Sequence, residues 1–359
     1  MDRIYLAALQ MVPGIGNARL KALSAFFGSA RQIWQADRRD LFFCGCLEEE
    51  LCNNLLLTRE KIDIPCLAEE WQKNGIQICT LQDPDYPSLL RDTFNPPLLL
   101  FYKGTLPRTE KKIAMVGARK ASAYGKNVTN MLAADLAAAG ICIISGAARG
   151  IDSAAHKGAM RTGSTLAVLG CGVNVVYPPE NRRLLAEIAA NGAVISEYLP
   201  DTPAHPGRFP ARNRIISGLA KGVVVVEAAA KSGSLITADF ALEEGRDVFA
   251  VPGSVFSSTS RGTHRLIKQG AKLIDCAADI LEEYNWQQQP LPEVEMKLNE
   301  EETMVYSLLS YEKPVELDEI VAKSYLSAPV ITYILLQLQL RGLVAECEGR
   351  QFIRTAKTN

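Results

Sequence analysis

The chain has 359 residues, 48% hydrophobic and 22% charged, with a formal net charge of −1. That length suits two or three domains with full cores, and the composition is that of an ordinary soluble globular protein. No apolar run reaches the length of a membrane span, and the N-terminus (Asp2, Arg3, then a short amphipathic segment) has no signal-peptide pattern, so a cytoplasmic protein with no membrane partner is expected.

The first 65 residues read as short helices. Val12–Arg19, with Gly14 and Gly16, sits between apolar-periodic stretches and resembles a helix-hairpin-helix turn, whose backbone N–H groups can hold a DNA phosphate. With 8 basic and 8 acidic residues in this segment, a packing role for the turn is favoured. Cys44, Cys46 and Cys52 are the only cluster among nine cysteines. No metal spacing and no C-x-x-C pair occur, so buried thiols are expected and no metal or other cofactor. Residues 66–107 read as a connector: a strand Ile76–Leu81, a Pro-rich turn, and an edge strand Leu98–Tyr102.

From Lys112 the rhythm is strand, small-residue turn, helix. Strands are expected at Ile113–Val116, Ile141–Ile144, Leu166–Leu169, Ala193–Ser196, Val223–Val226, Val248–Val251 and Lys272–Ile274, with helices between. That alternation implies an α/β core, 108–285, with a mostly parallel sheet covered by helices on both faces and ligands outside the carboxyl ends of its strands. This core carries 21 Lys/Arg against 16 Asp/Glu, a net +5 that suits a polyanion. A polar linker is expected at 286–298. Residues 299–359 then read as three helices (about Glu300–Ser310, Val315–Lys323, Ala328–Arg341) and a hairpin, the pattern of a winged helix. With 6 basic against 9 acidic residues and no basic residue in the third helix before Arg341, this domain is expected to dock on protein instead of reading DNA.

The most informative turn is Ser145-Gly146-Ala147-Ala148-Arg149-Gly150-Ile151-Asp152, between a buried strand and a helix carrying His156 and Lys157. Glycines admit a close ligand, and the first N–H groups of the helix favour an anion. The spacing is neither G-x-G-x-x-G nor G-x-x-x-x-G-K-[ST]. Asp152 is expected to cap the helix, and His156 to lock the loop by a hydrogen bond. Arg212-Asn213-Arg214 opens a second helix; one arginine is expected to pair with Glu197 or Glu227 and the other to face ligand. Lys231-Ser232-Gly233-Ser234 forms a further anion nest at a helix start. Arg119, after the first core strand, completes the set, with Tyr124 and Phe209 as the nearest rings for stacking.

Gly117-Ala118-Arg119 with Ser122–Gly125, the Ser145–Asp152 turn, Tyr177-Pro178-x-x-Asn181, Ser196-Glu197, Phe209–Gly218, Ser232–Ala238 and Phe249–Gly253 resemble, in order and spacing, the motifs of the DNA-processing protein A (DprA, also called Smf) family. The resemblance covers about residues 80–275. It implies an extended Rossmann-like core that binds single-stranded DNA, dimerises and helps load RecA recombinase during natural transformation, with a helical domain before it and a winged helix after it. It places DNA at Arg119, Ser145, Gly146, Arg149, Gly150, Lys157, Arg212, Asn213, Arg214, Lys231, Ser232, Gly233 and Ser234. Two positions depart from the family pattern: Ala118 where Ser is usual, and His264 where Asn is usual. The rival reading is a nucleoside-monophosphate phosphoribohydrolase, for which Asp152, His156 and Glu197 are the candidate acid–base groups. That enzyme class needs a Pro-Gly-Gly-x-Gly-Thr nest, which is absent here, and no catalytic role is expected. A nucleotide-sensing module without turnover is a third reading.

Overall fold

A computed structural model of the chain describes residues 2–286, 298–347 and 349–355. The chain begins with α1 (Asp2–Gln10), α2 (Asn17–Phe27), α3 (Ala30–Gln35), α4 (Arg38–Phe43), α5 (Glu49–Lys61) and α6 (Ile64–Lys73). Their apolar stripes meet in one core around Leu9, Leu20, Leu23, Ile33 and Leu55. The Val12–Arg19 turn packs: Val12 and Ile15 are buried, and a side chain on Gly14 (φ +86°) would lie 2.5 Å from Leu51 Cδ2.

The central domain follows as β1 (Gln77–Thr80), α7 (Ser88–Arg91), β2 (Leu99–Gly104), β3 (Lys112–Val116), α8 (Ala123–Ala138), β4 (Cys142–Ser145), α9 (Ile151–Ala159), β5 (Thr165–Val168), α10 (Arg182–Asn191), β6 (Ala193–Ser196), α11 (Arg208–Gly218), β7 (Gly222–Val225), α12 (Gly233–Glu243), β8 (Asp247–Ala250), α13 (Arg261–Lys268), β9 (Lys272–Leu273) and α14 (Ala278–Glu283). One nine-stranded sheet forms in the order β1-β2-β6-β5-β4-β3-β7-β8-β9. In sheet order the seven strands from β6 to β9 run parallel to one another, while β2 is antiparallel to both β6 and β1. Alternate residues of β3 feed opposite faces: Ala114 and Val116 pack with α11 and α12, Ile113 and Met115 with α8 and α14. This is the expected Rossmann-like sheet with both faces covered.

The segment read as a connector differs from expectation. β2 is not an edge strand: β1 pairs outside it, Ile78 opposite Phe101, and Trp71 of α6 meets Phe101 edge-on at 5.4 Å between ring centroids. Antiparallel pairing on both sides satisfies the β2 backbone, so 77–104 belongs to the same sheet as the core.

The C-terminal domain comprises α15 (Glu300–Leu308), β10 (Val315–Glu316), α16 (Leu317–Ser324), α17 (Ala328–Leu340), β11 (Val344–Cys347) and β12 (Gln351–Arg354), a winged helix. Val315 and Glu316, expected to begin a helix, instead pair with Phe352 and Gln351, so the wing has three strands. The expected linker falls, apart from its two ends, outside the described residues. Among the described residues no single helix is long and apolar enough to cross a membrane.

Candidate nucleic-acid interface

The strand order reverses between β3 and β7, because the chain runs outward from β3 through β4 and β5 to β6 on one side, then crosses back to β7 and continues to β8 and β9 on the other. Outside the carboxyl ends of strands at such a point the loops part and leave a crevice. An open cavity of about 430 Å³ lies there, lined by Gly117 and Arg119 after β3, Ala148 and Asp152 after β4, Tyr177, Phe209, Arg212 and Asn213 of α11, and Ser232, Gly233 and Ser234 at the start of α12.

Arg119 is exposed, and among the described residues it makes no ion pair. Its guanidinium carbon stands 5.5 Å from the centre of the Phe209 ring. Phe209 in turn stacks on Tyr177, with ring centroids 5.2 Å apart and planes 28° apart. Tyr177 is 40% exposed. A cation and two rings in sequence form a platform for a flat group with a nearby negative charge. Sequence reasoning does not single out Tyr177, although it stands in one of the quoted motifs; its partner Phe209 lies 32 residues on, and only the tertiary fold stacks them. Tyr124 has a different role from the one expected. It is half-buried, and its hydroxyl donates to the Pro252 carbonyl at 2.9 Å.

The turn after β4 is closed upon itself. The N–H groups of Gly146 and Ala148 donate to Asp152 Oδ2 at 3.2 and 3.3 Å, so Asp152 ties the turn and is not the cap of α9, whose capping residue is Gly150. Gly150 has φ +76°, and a Cβ there would lie 2.2 Å from the Ala118 carbonyl oxygen. Ser145 is buried, donating to the Met115 carbonyl at 2.6 Å, which removes it from the expected contacts. Asn181 bonds the Ala147 carbonyl at 2.9 Å and Ser153 Oγ at 3.0 Å from the other side. Burial raises the Asp152 pKa, opposed by the Arg212 charge and the two N–H donors.

The hydrogen bond of His156 goes to Thr165 on β5 and not to the turn. Thr165 donates its one hydroxyl hydrogen to the Ile143 carbonyl, so at 2.7 Å it accepts from His156 Nδ1–H, which fixes the neutral tautomer. Burial pushes the His156 pKa down to about 3, and among the described residues its Nε2 has no partner.

One of the two arginines of α11 forms the expected ion pair, and the other is buried on backbone carbonyls. Arg214 pairs with Glu197 and donates to the Asn95 carbonyl at 2.8 Å. Glu227 serves neither arginine; it accepts from the N–H and hydroxyl of Ser122. Arg212 is only 4% exposed and donates to the carbonyls of Gly146 and Val168. It forms the floor beneath the turn after β4 and presents its charge to the cavity from below.

At the start of α12, Ser232 caps the helix by accepting from Ser234 N–H at 3.4 Å. Gly233 is open, with nothing within 4 Å of where a Cβ would stand. Asn213 bridges to this turn, donating to the Gly233 carbonyl at 3.4 Å. Lys231 is exposed just before it. Arg149 is held by Glu180 at the rim of a smaller adjoining cavity. Lys157 is exposed in the last turn of α9 and does not line the cavity.

Residues 77–285 match the family described as DNA recombination-mediator protein A, and residues 289–350 match the DprA winged helix domain. The chain belongs to this family. It is similar to Protein Smf of Synechocystis sp. at 33% identity, over 98% of this chain and 99% of that one. The DNA processing protein DprA of Bacillus subtilis is 44% identical over 61% of this chain and 75% of its own. Among solved structures, DNA processing protein A from Streptococcus pneumoniae aligns with a TM-score of 0.67 at 36% identity, covering 80% of this chain and 99% of that one. The structure of the Helicobacter pylori protein, described as giving insight into its unique single-stranded DNA binding mode, aligns with a TM-score of 0.53 at 31% identity, covering 59% and 98%. Both departures from the family pattern leave the cavity intact. Ala118 contributes through its carbonyl, which accepts from Ile151 N–H at 3.2 Å, and His264 donates from Nε2 to the Gly253 carbonyl at 3.0 Å.

Proposed function

We propose that this chain is a single-stranded DNA-binding recombination mediator, which protects incoming DNA and helps load RecA recombinase, as in natural transformation. The observation that carries the reading is the exposed Arg119 over the Phe209–Tyr177 stack, beside the Ser232–Ser234 helix start in one open crevice. A single strand offers the two groups this arrangement suits, an unpaired base for the rings and a phosphate for the guanidinium and the helix N-terminus. A duplex keeps its bases stacked away from such a platform. The single-stranded DNA binding mode described for the Helicobacter pylori relative supports the same reading.

The protein acts in the cytoplasm as a homodimer and holds DNA without turnover. Asp152 ties a turn, His156 is a buried neutral donor to Thr165, and Glu197 is paired with Arg214, so each candidate acid or base already has a structural task. Incubation with purine monophosphates is expected to release no free base.

Contacts to backbone and ring faces carry little base information, so binding is nearly sequence-independent. If three phosphates are neutralised, log affinity falls against log salt with a slope of about −2. A gel shift with single- and double-stranded oligonucleotides of one sequence at two salt concentrations tests this. Equal affinity for the two forms, or an affinity indifferent to salt, would overturn the reading. RecA loading is tested separately, as faster RecA assembly on strands already covered by a single-strand-binding protein.

A further inference from the structure

At the amino ends of β3 and β5, on the opposite edge of the sheet from the crevice, lies a second cavity of about 530 Å³. Tyr102, Leu106 and Leu166 form its apolar walls. Lys112, the first residue of β3, lines it while only 4% exposed. Among the described residues the Lys112 ammonium makes no hydrogen bond or ion pair. Burial lowers its pKa, and Glu110 opposes that from a distance.

The neighbouring carboxylates have partners within the cavity wall. Glu110 accepts from Ser88 Oγ at 2.7 Å, and Asp85 lies 3.6 Å from Arg108. Arg91 donates to the carbonyls of Asp83 and Tyr86, keeping its positive charge at the cavity. The Lys112 stem is buried while its ammonium faces the cavity without a counter-ion among the described residues, and an anion entering there would pair with it. Arg108 and Asp85 offset each other, which leaves Arg91 and Lys112 against Glu110, a net positive charge that favours an anion. The volume falls in the range of pockets that hold small molecules such as a nucleotide.

We propose that this cavity binds a small phosphate monoester of nucleotide size, its phosphate paired with Lys112 and its flat body against Tyr102. The site is separate from the crevice at the carboxyl edge and does not depend on how that crevice is used.

Isothermal titration of the full chain with thymidine monophosphate and with thymidine tests it. The monophosphate is expected to bind and thymidine to give no measurable heat. Lys112→Met weakens the monophosphate by about tenfold or more, the loss of one charge-assisted contact. The titrations are made on Arg119→Ala, because the crevice at the other edge can itself take a nucleotide. Thymidine binding as well as its monophosphate, no heat from the monophosphate, or full affinity once Lys112→Met is added would each overturn the proposal. Should Lys112→Met fail to fold, Thr105→Trp serves instead. Thr105 is exposed at the cavity wall, so the ring blocks entry without disturbing the core. Retained binding in that variant would equally place the ligand elsewhere.

Discussion

After β4 the chain turns through Gly146–Gly150 into α9; after β7 it turns through Lys231–Ser234 into α12. Both turns are rich in small residues, both carry a cation, and both border the same crevice. In the first, the Asp152 carboxylate takes two of the N–H groups that a phosphate would want, and Arg212 binds the Gly146 carbonyl from below. In the second no carboxylate reaches back, and Gly233 stands open to solvent beside the Ser232 cap. A small-residue turn is therefore a scaffold or a binding nest according to whether the protein supplies its own anion.

The largest expected effect tests the scaffold side. Arg212→Leu removes two charge-assisted bonds to buried carbonyls and leaves Asp152 without its cationic neighbour, a loss of about 3 kcal/mol or more in urea unfolding. Unchanged stability with lost DNA binding would reverse the assignment and make the turn after β4 the nest.

Acid sharpens the same contrast. His156, on the helix that follows the closed turn, has a folded pKa of about 3 against 6.5 when unfolded. Between those values only the unfolded chain takes up the proton. This contribution to stability is complete above pH 6.5 and declines as the pH falls towards 3, by about 1.4 kcal/mol per unit. In His156→Gln this decline should be absent from unfolding curves taken from neutral pH down to about 5. A variant with the same acid limb as the parent would assign the titration to another group.

On the binding side the effect is smaller and of another kind. Arg119→Ala should leave stability within about 0.5 kcal/mol, because no ion pair is lost. It should weaken every oligonucleotide alike and make the salt slope shallower by roughly 0.7, one counterion fewer being released. A lower melting temperature with the slope intact would move Arg119 to the scaffold.

The smallest effect concerns the winged helix. The outer face of α17 shows Tyr333, Leu336 and Leu340 and no cation, and Asn127 bonds the Arg354 carbonyl at 3.1 Å to tether the domain to the core. A chain ending at Trp286 is expected to keep its affinity for single strands within about twofold. A much larger loss from a folded core would give the wing a share in DNA binding.

Local pattern was enough to define the parallel core. Runs such as Ile141–Ile144 and Val223–Val226 are apolar throughout because both sheet faces are covered, and the small-residue turns fall at strand ends because the chain must reverse there. The turns at Gly146–Gly150 and Ser232–Ser234 were equally legible, and so was the ion pair that one of Arg212 and Arg214 makes. Which turn is closed, which arginine is buried, and which ring stacks on Phe209 were settled by residues far apart in the chain: Asn181 on Ala147, Glu197 on Arg214, Tyr177 on Phe209. β2 entered the sheet for the same reason, through its pairing with β1 and β6. Turns and strands follow from nearest neighbours and periodicity, so the sequence alone determined them. Hydrogen-bond partners and counter-ions are allotted only when distant segments meet, and that allotment made one turn structural and left the other free to bind.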